Sequence, residues 1–239
     1  MTRLLLAAAL CLFGFRGSAA EMQVDLALVL VTDVSRSIDD TEFLLEKQGY
    51  ATAFTNPRVV AAIQGGPAGR IAVAYVEFSS AEQVRTVVDW TVISDPATAR
   101  AFVAAMAAQP RSSYGRTAIS SGIDAATRML AGSSFAEARR VIDVAGDGTN
   151  NAGRPITEAR DDAVAAGITI NGLTIINDHP VSYTFAHVQP PGGLTEWYRQ
   201  NVTGGVGSFV VEVRDFNTFG DAMIRKLISE IAALPSFHG

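Results

Sequence analysis

Three short segments of the sequence concentrate oxygen-bearing side chains. They are Thr32-Asp33-Val34-Ser35-Arg36-Ser37, the run from Ser112 to Ala118 that contains Thr117, and Val144 to Asn150 with Asp147 at its centre. Together they offer the carboxylates of Asp33 and Asp147 and the hydroxyls of Ser35, Ser37 and Thr117. The glycines among them let backbones approach closely. All five are hard oxygen donors. A set with two carboxylates and neither His nor Cys suits magnesium, manganese or calcium far better than zinc. Magnesium is the expected ion, with manganese and calcium as alternatives. The i, i+2, i+4 spacing of Asp33, Ser35 and Ser37 places their side chains on one side wherever the backbone stays extended. Two carboxylates nearly neutralise a divalent ion yet leave it electrophilic, so an unfilled coordination position attracts an external carboxylate. Taken singly, each residue has a plainer role: Ser35, Ser37 and Thr117 are helix-capping types, and Asp147-Gly148 is a turn. The combination outweighs those readings. Asp143 lies within a strand and is set aside, and Arg36 is expected to be an exposed neighbour.

The surrounding elements alternate between strand and helix. Val24 to Val31 is an apolar, β-branched run, as expected of a strand covered on both faces in a parallel sheet. Asp40 to Phe54 carries Phe43, Leu44, Lys47, Tyr50, Ala51 and Phe54 at helical spacing, with Asp39 or Asp40 as N-cap. Arg70 to Phe78 and Gln83 to Trp90 are strands joined too closely for a crossover helix, so they pair antiparallel. Asp95-Pro96 opens a helix to about Ala108. A helix follows from Thr117 to Leu130, then a strand over Arg139 to Ala145, a helix over Pro155 to Ala166 and a strand over Ile168 to Ile176. Residues 177–207 give mixed signals, with a short helix over Leu194 to Asn201. A last strand over Ser208 to Val213 precedes a closing helix over Phe216 to Leu234. This order predicts an α/β fold: a doubly wound, mostly parallel sheet with one antiparallel edge strand and helices on both faces. Ligands of such sheets sit beyond the carboxyl ends of the strands, where the three oxygen-rich segments fall.

D-x-S-x-S after a first apolar strand, a threonine in a G-x-T loop and an aspartate in a D-G turn after a later strand resemble the metal ion-dependent adhesion site of von Willebrand factor type A domains. The resemblance spans about Val24 to Leu234. It implies that Ser35, Ser37 and Thr117 bind a divalent metal through their hydroxyls. Asp33 and Asp147 would bind it directly or through water. It further implies that a protein partner presenting an Asp or Glu completes the shell. In overall build the chain is similar to exported bacterial single-domain members of that superfamily.

The N-terminus bears on where this happens. A basic start at Arg3, an apolar run from Leu4 to Phe15 and the small residues Ser18-Ala19-Ala20 have the layout of a secretory signal peptide. That run is shorter than the roughly 20 residues a membrane span needs. We therefore expect residues 1–20 to be a leader cleaved near Ala20, and 21–239 to be a single domain in the periplasm or outside the cell. Cleavage removes the one cysteine, Cys11, and takes the formal charge from −5 to −7. An acidic surface with no basic run disfavours nucleic acid and anionic membranes as partners.

An enzyme reading finds few supports. Aspartate-nucleophile phosphatases need a second acid two residues after the first, and Ser35 occupies that place. The phosphate loop G-x-x-x-x-G-K-[ST] and the nucleophile motif G-x-S-x-G are both absent. His179, His187 and His238 are the only histidines, and none has an evident partner for catalysis. The expectation is a non-enzymatic, metal-dependent binding module. The alternatives are a metal-dependent phosphoryl-transfer or hydrolytic enzyme and a structural domain with a closed metal site. Tyr114, Trp197 and Tyr198 are candidates for an aromatic rim around the site.

Overall fold

The computed structural model describes residues 22–135, 138–176 and 190–232. Residues 1–20, expected to form a leader, with Cys11, and His179, His187 and His238, lie outside these residues. Strand β1 (Leu26–Asp33) is the organising element, and every one of its residues is buried. It lies between β2 (Ile71–Phe78) and β4 (Arg139–Gly146), parallel to both. A strand flanked on both edges and covered on both faces has no solvent side. That is why its sequence is continuously apolar rather than alternating. Strand β3 (Val84–Ile93) pairs antiparallel with β2 at one edge. β5 (Thr169–Ile175) and β6 (Val210–Val213) continue the parallel part, giving the order β3-β2-β1-β4-β5-β6.

Helices cover both faces. One core sets Leu26, Leu28 and Leu30 of β1 against α1 (Asp40–Phe54), α2 (Pro57–Gln64), α3 (Pro96–Ala107) and α7 (Phe219–Ala232). The other sets Ala27, Val29 and Val31 against α4 (Ile119–Ala131), α5 (Ile156–Ala165) and α6 (Leu194–Asn201). The period-two alternation of strand side chains sorts neighbouring residues into the two cores. Gly122 allows α4 to sit close, because a Cβ there would lie 2.6 Å from Val31 Cγ1.

The expected architecture is the observed one, with local differences. Helix α2 was not anticipated, although Asn56-Pro57 carries the N-cap and N1 proline signature that begins it. Helix α4 begins at Ile119, so Thr117 belongs to the loop before it rather than to the helix start. Leu44 is exposed, because the buried face of α1 runs through Phe43, Glu46, Lys47, Tyr50 and Phe54. The capping box that starts α1 uses Asp39 as N-cap, with Glu42 returning a bond to the Asp39 backbone.

A buried ionic cluster ties α7 to the sheet. Lys226 Nζ lies 2.7 Å from Asp143 of β4 and also bonds Glu230, whose Oε1 accepts from Asn171 of β5. Burial pushes the Asp143 carboxyl up to about 7, while Lys226 pulls it the other way. Removing one member of a buried pair is costly because the remaining charge keeps its desolvation penalty. Lys226→Met should therefore lower the unfolding free energy by about 3–5 kcal/mol, read from urea denaturation at pH 7. A loss under about 1 kcal/mol would show that the cluster contributes little.

Candidate functional site

The five oxygen ligands expected from the sequence converge at the carboxyl edge of β1 and β4. Asp33 is the last residue of β1. Its Oδ1 accepts the Ser35 backbone N–H at 2.8 Å, which turns the chain and brings Ser35 back over the strand end. The Ser35 and Ser37 hydroxyls are 3.1 Å apart. Ser37 Oγ donates to Asp147 Oδ1 at 2.8 Å, and Thr117 Oγ1 donates to Ser35 Oγ at 3.2 Å. Asp33, Ser35 and Thr117 are buried, whereas Ser37 and Asp147 are half-buried. The cluster thus has a closed floor and an accessible rim.

Several residues hold these loops together, and most of them were not evident in the sequence. Arg111 Nη2 donates to the carbonyls of Val34 and Ser35 at 2.8 and 2.7 Å, clamping the first segment to the second. Buried Glu77 accepts the Ser112 backbone N–H at 2.8 Å. Lys47 Nζ caps the end of α3 through the carbonyls of Met106 and Gln109. Asn151 Oδ1 accepts from Thr117 N at 3.0 Å, and Asn151 N returns a bond to Thr117 O, joining the second segment to the third. Arg111 in a turn-rich stretch and the asparagines directly after Asp147-Gly-Thr were the available signals.

The electrostatics are those of crowded acid. Asp33 Oδ2 is buried without a hydrogen-bond partner. Burial, and next the charge of Asp147, hold the Asp33 carboxyl well above the usual carboxylate range, while the Ser35 N–H and Arg111 oppose this. Glu46 of α1 is buried with neither carboxylate oxygen hydrogen-bonded. Burial raises it strongly, followed by Asp33, Glu77 and Asp147. Tyr198 is a correction to the expected rim: it is fully buried, while Trp197 packs against the core and only Tyr114 is exposed. A Cβ on Gly146 would lie 2.9 Å from the Tyr198 hydroxyl and 3.1 Å from Asp33 Cβ. Glycine at 146 therefore lets β4 bring Asp33 and Tyr198 together.

The donors present fit a hard divalent cation. They are oxygen only, they include an orphaned buried carboxylate oxygen, and their mutual repulsion is what a cation relieves. Among the described residues no three His, Cys, Asp or Glu side chains gather to hold a metal. A binding set here must therefore draw on hydroxyls.

This arrangement of sheet, helices and strand-edge loops is the von Willebrand factor type A fold. The structure superposes on a von Willebrand factor type A protein from Catenulispora acidiphila (TM-score 0.59, 16% identity, 87% of this chain and 43% of that one). It also matches proximal thread matrix protein 1 of the mussel byssus (TM-score 0.62, 15% identity, 87% of this chain and 47% of that one). A further structure of that mussel protein has a zinc-occupied metal ion-dependent adhesion site motif. The pilus adhesin SpaC of Lactobacillus rhamnosus GG matches at TM-score 0.57 and 16% identity, over 87% of this chain and 31% of that one. The chain thus spans less than half the length of these three proteins. No curated protein matches the sequence. A family model described as "Protein of unknown function (DUF1194)" matches residues 23–235, and the chain belongs to that family.

Glu46 gives a pH prediction. Its carboxyl is raised in the folded protein, so the native state holds a proton that the unfolded state has released above the ordinary value of 4.5. Stability from this group is therefore lost as pH rises from 4.5 towards the raised folded value, at about 1.4 kcal/mol per pH unit. Glu46→Gln should flatten the pH dependence of the unfolding free energy above pH 5 relative to the parent. Parallel pH profiles for the two proteins would refute the assignment.

Proposed function

We propose that this protein is an exported, divalent-metal-dependent binding module that grips an acidic side chain of a protein partner. The observation that carries the reading is the convergence of Asp33, Ser35, Ser37, Thr117 and Asp147 into one hydroxyl-linked cluster. The three hydroxyls and two carboxylates would hold the ion, with Asp33 and Thr117 at the floor and Asp147 and Ser37 at the rim. A bound divalent cation supplies an electrophilic centre with a coordination position for a partner's carboxylate oxygen. The chain supplies the rigid frame: Arg111 and Asn151 keep the three loops in register before any ligand arrives. Preorganisation of this kind reduces the ordering cost of binding.

The reading is non-enzymatic. Among the described residues the cluster has no lysine, cysteine or histidine to serve as nucleophile or neutral-pH base. It also places the protein in the periplasm or outside the cell, after cleavage near Ala20. Its support is the layout of residues 1–20, together with likenesses to a byssus matrix protein and a pilus adhesin. Among the described residues no helix is long and apolar enough to cross a membrane.

The test is thermal unfolding of the chelator-stripped protein, titrated with magnesium, manganese, calcium and zinc. A saturable stabilisation is expected, reaching about 2.7 kcal/mol at a hundredfold excess over the dissociation constant. Asp33→Ala and Asp147→Ala should each remove that increment. Because Asp33 sits among like charges, its removal should also raise the stability of the metal-free protein. An increment retained in both variants would sink the site assignment.

A further inference from the structure

The rim of the cluster carries a cation that the described residues leave unengaged. Arg36 stands between Ser35 and Ser37 and is exposed. With Ile38, Asp39, Asp40, Arg111 and Tyr114 it lines a groove of about 480 Å³ beside the site. The other charges of that groove are already committed. Asp39 Oδ1 accepts the backbone N–H groups of Thr41 and Glu42 at the start of α1, at 2.7 and 2.8 Å. Asp40 Oδ1 accepts from the Tyr114 hydroxyl at 3.1 Å and from Arg111 Nη1 at 3.3 Å. Arg111 is held beneath by two backbone carbonyls and lies 4.2 Å from the Tyr114 ring centroid. The Arg36 guanidinium, by contrast, has no hydrogen bond or ion pair among the described residues. The Arg36 backbone is tied to the second loop, its N–H donating to Gly115 O at 3.0 Å.

We propose that Arg36 binds a second carboxylate of the acidic segment whose first carboxylate the oxygen cluster takes, so that the preferred partner is a run of acidic residues rather than a lone one. This rests on the function proposed above. A planar guanidinium presents a fork of N–H donors matched to a carboxylate. Opposite charges placed across a rim select the partner and speed encounter. Tyr114 gives the groove a flat apolar wall against which the stem of an acidic side chain packs. The site thereby discriminates by charge density: one carboxylate satisfies the cluster alone, and two satisfy the cluster and Arg36 together.

The experiment compares two surface-immobilised, C-terminally amidated Gly/Ser peptides, one with a single Asp and one with three consecutive Asp, in saturating magnesium. Arg36→Gln should weaken binding of the three-Asp peptide roughly threefold to tenfold more than binding of the single-Asp peptide. The magnesium-induced thermal stabilisation of Arg36→Gln, measured alongside, reports whether the metal cluster is intact. If neither peptide binds in a magnesium-dependent way to the parent protein, the acidic-partner reading fails and this proposal fails with it. If both bind and Arg36→Gln weakens them equally or not at all, this proposal alone is overturned.

Discussion

The physical constraint on which the rest of this structure depends is the crowding of acid at the end of β1. Asp33 and Glu46 are removed from water, Asp147 raises the Asp33 carboxyl, and Asp33, Glu77 and Asp147 raise Glu46. Arg111 is a cation that acts on both buried carboxyls, and its guanidinium is occupied with the carbonyls of Val34 and Ser35. A fold maximising its own stability would not bury the Asp33 and Glu46 carboxyls within reach of each other's charge. Such an arrangement is what a ligand of opposite charge would relieve, and it places the energetic tension of the molecule at its candidate site.

The hydroxyl ladder translates that tension into structure. Thr117, Ser35, Ser37 and Asp147 form a chain of hydrogen bonds across three loops that are far apart in sequence. Behind it, Glu77, Lys47 and Asn151 fix the loop backbones from below and from the side. The site is therefore held by side-chain to main-chain bonds anchored in the sheet and α1, not by the loops' own conformational preferences.

Much of this was legible in the residues. The uninterrupted apolar run of β1, the Asp95-Pro96 helix start and the short link between β2 and β3 each stated their structure through local chemistry. The five oxygen donors were readable because their spacing matched a strand end and two turns. What escaped depends on long-range packing. Glu46 sits on a helix face that looks ordinary until Asp33 is placed beneath it. Tyr198 reads as a surface aromatic in a Gly- and Pro-rich stretch, yet Gly146 and Gly172 leave space that its ring and hydroxyl occupy. Thr117 precedes its helix by two residues because its N–H and C=O are taken by Asn151. Periodicity cannot report a partner more than thirty residues away.

The sheet's edges complete the picture. At one side β3 pairs with β2 through irregular register around Tyr75 and carries Arg85 and Asp89 on its flank. At the other, β6 is only four residues long. Bulged, charged and abbreviated edges are poor templates for further strands. Lateral growth of the sheet, whether by self-association or by capture of an extended peptide, is thereby discouraged on both sides. The molecule is a tile capped along its flanks, and the loops at the carboxyl ends of its strands are the side its sheet edges leave free of that constraint.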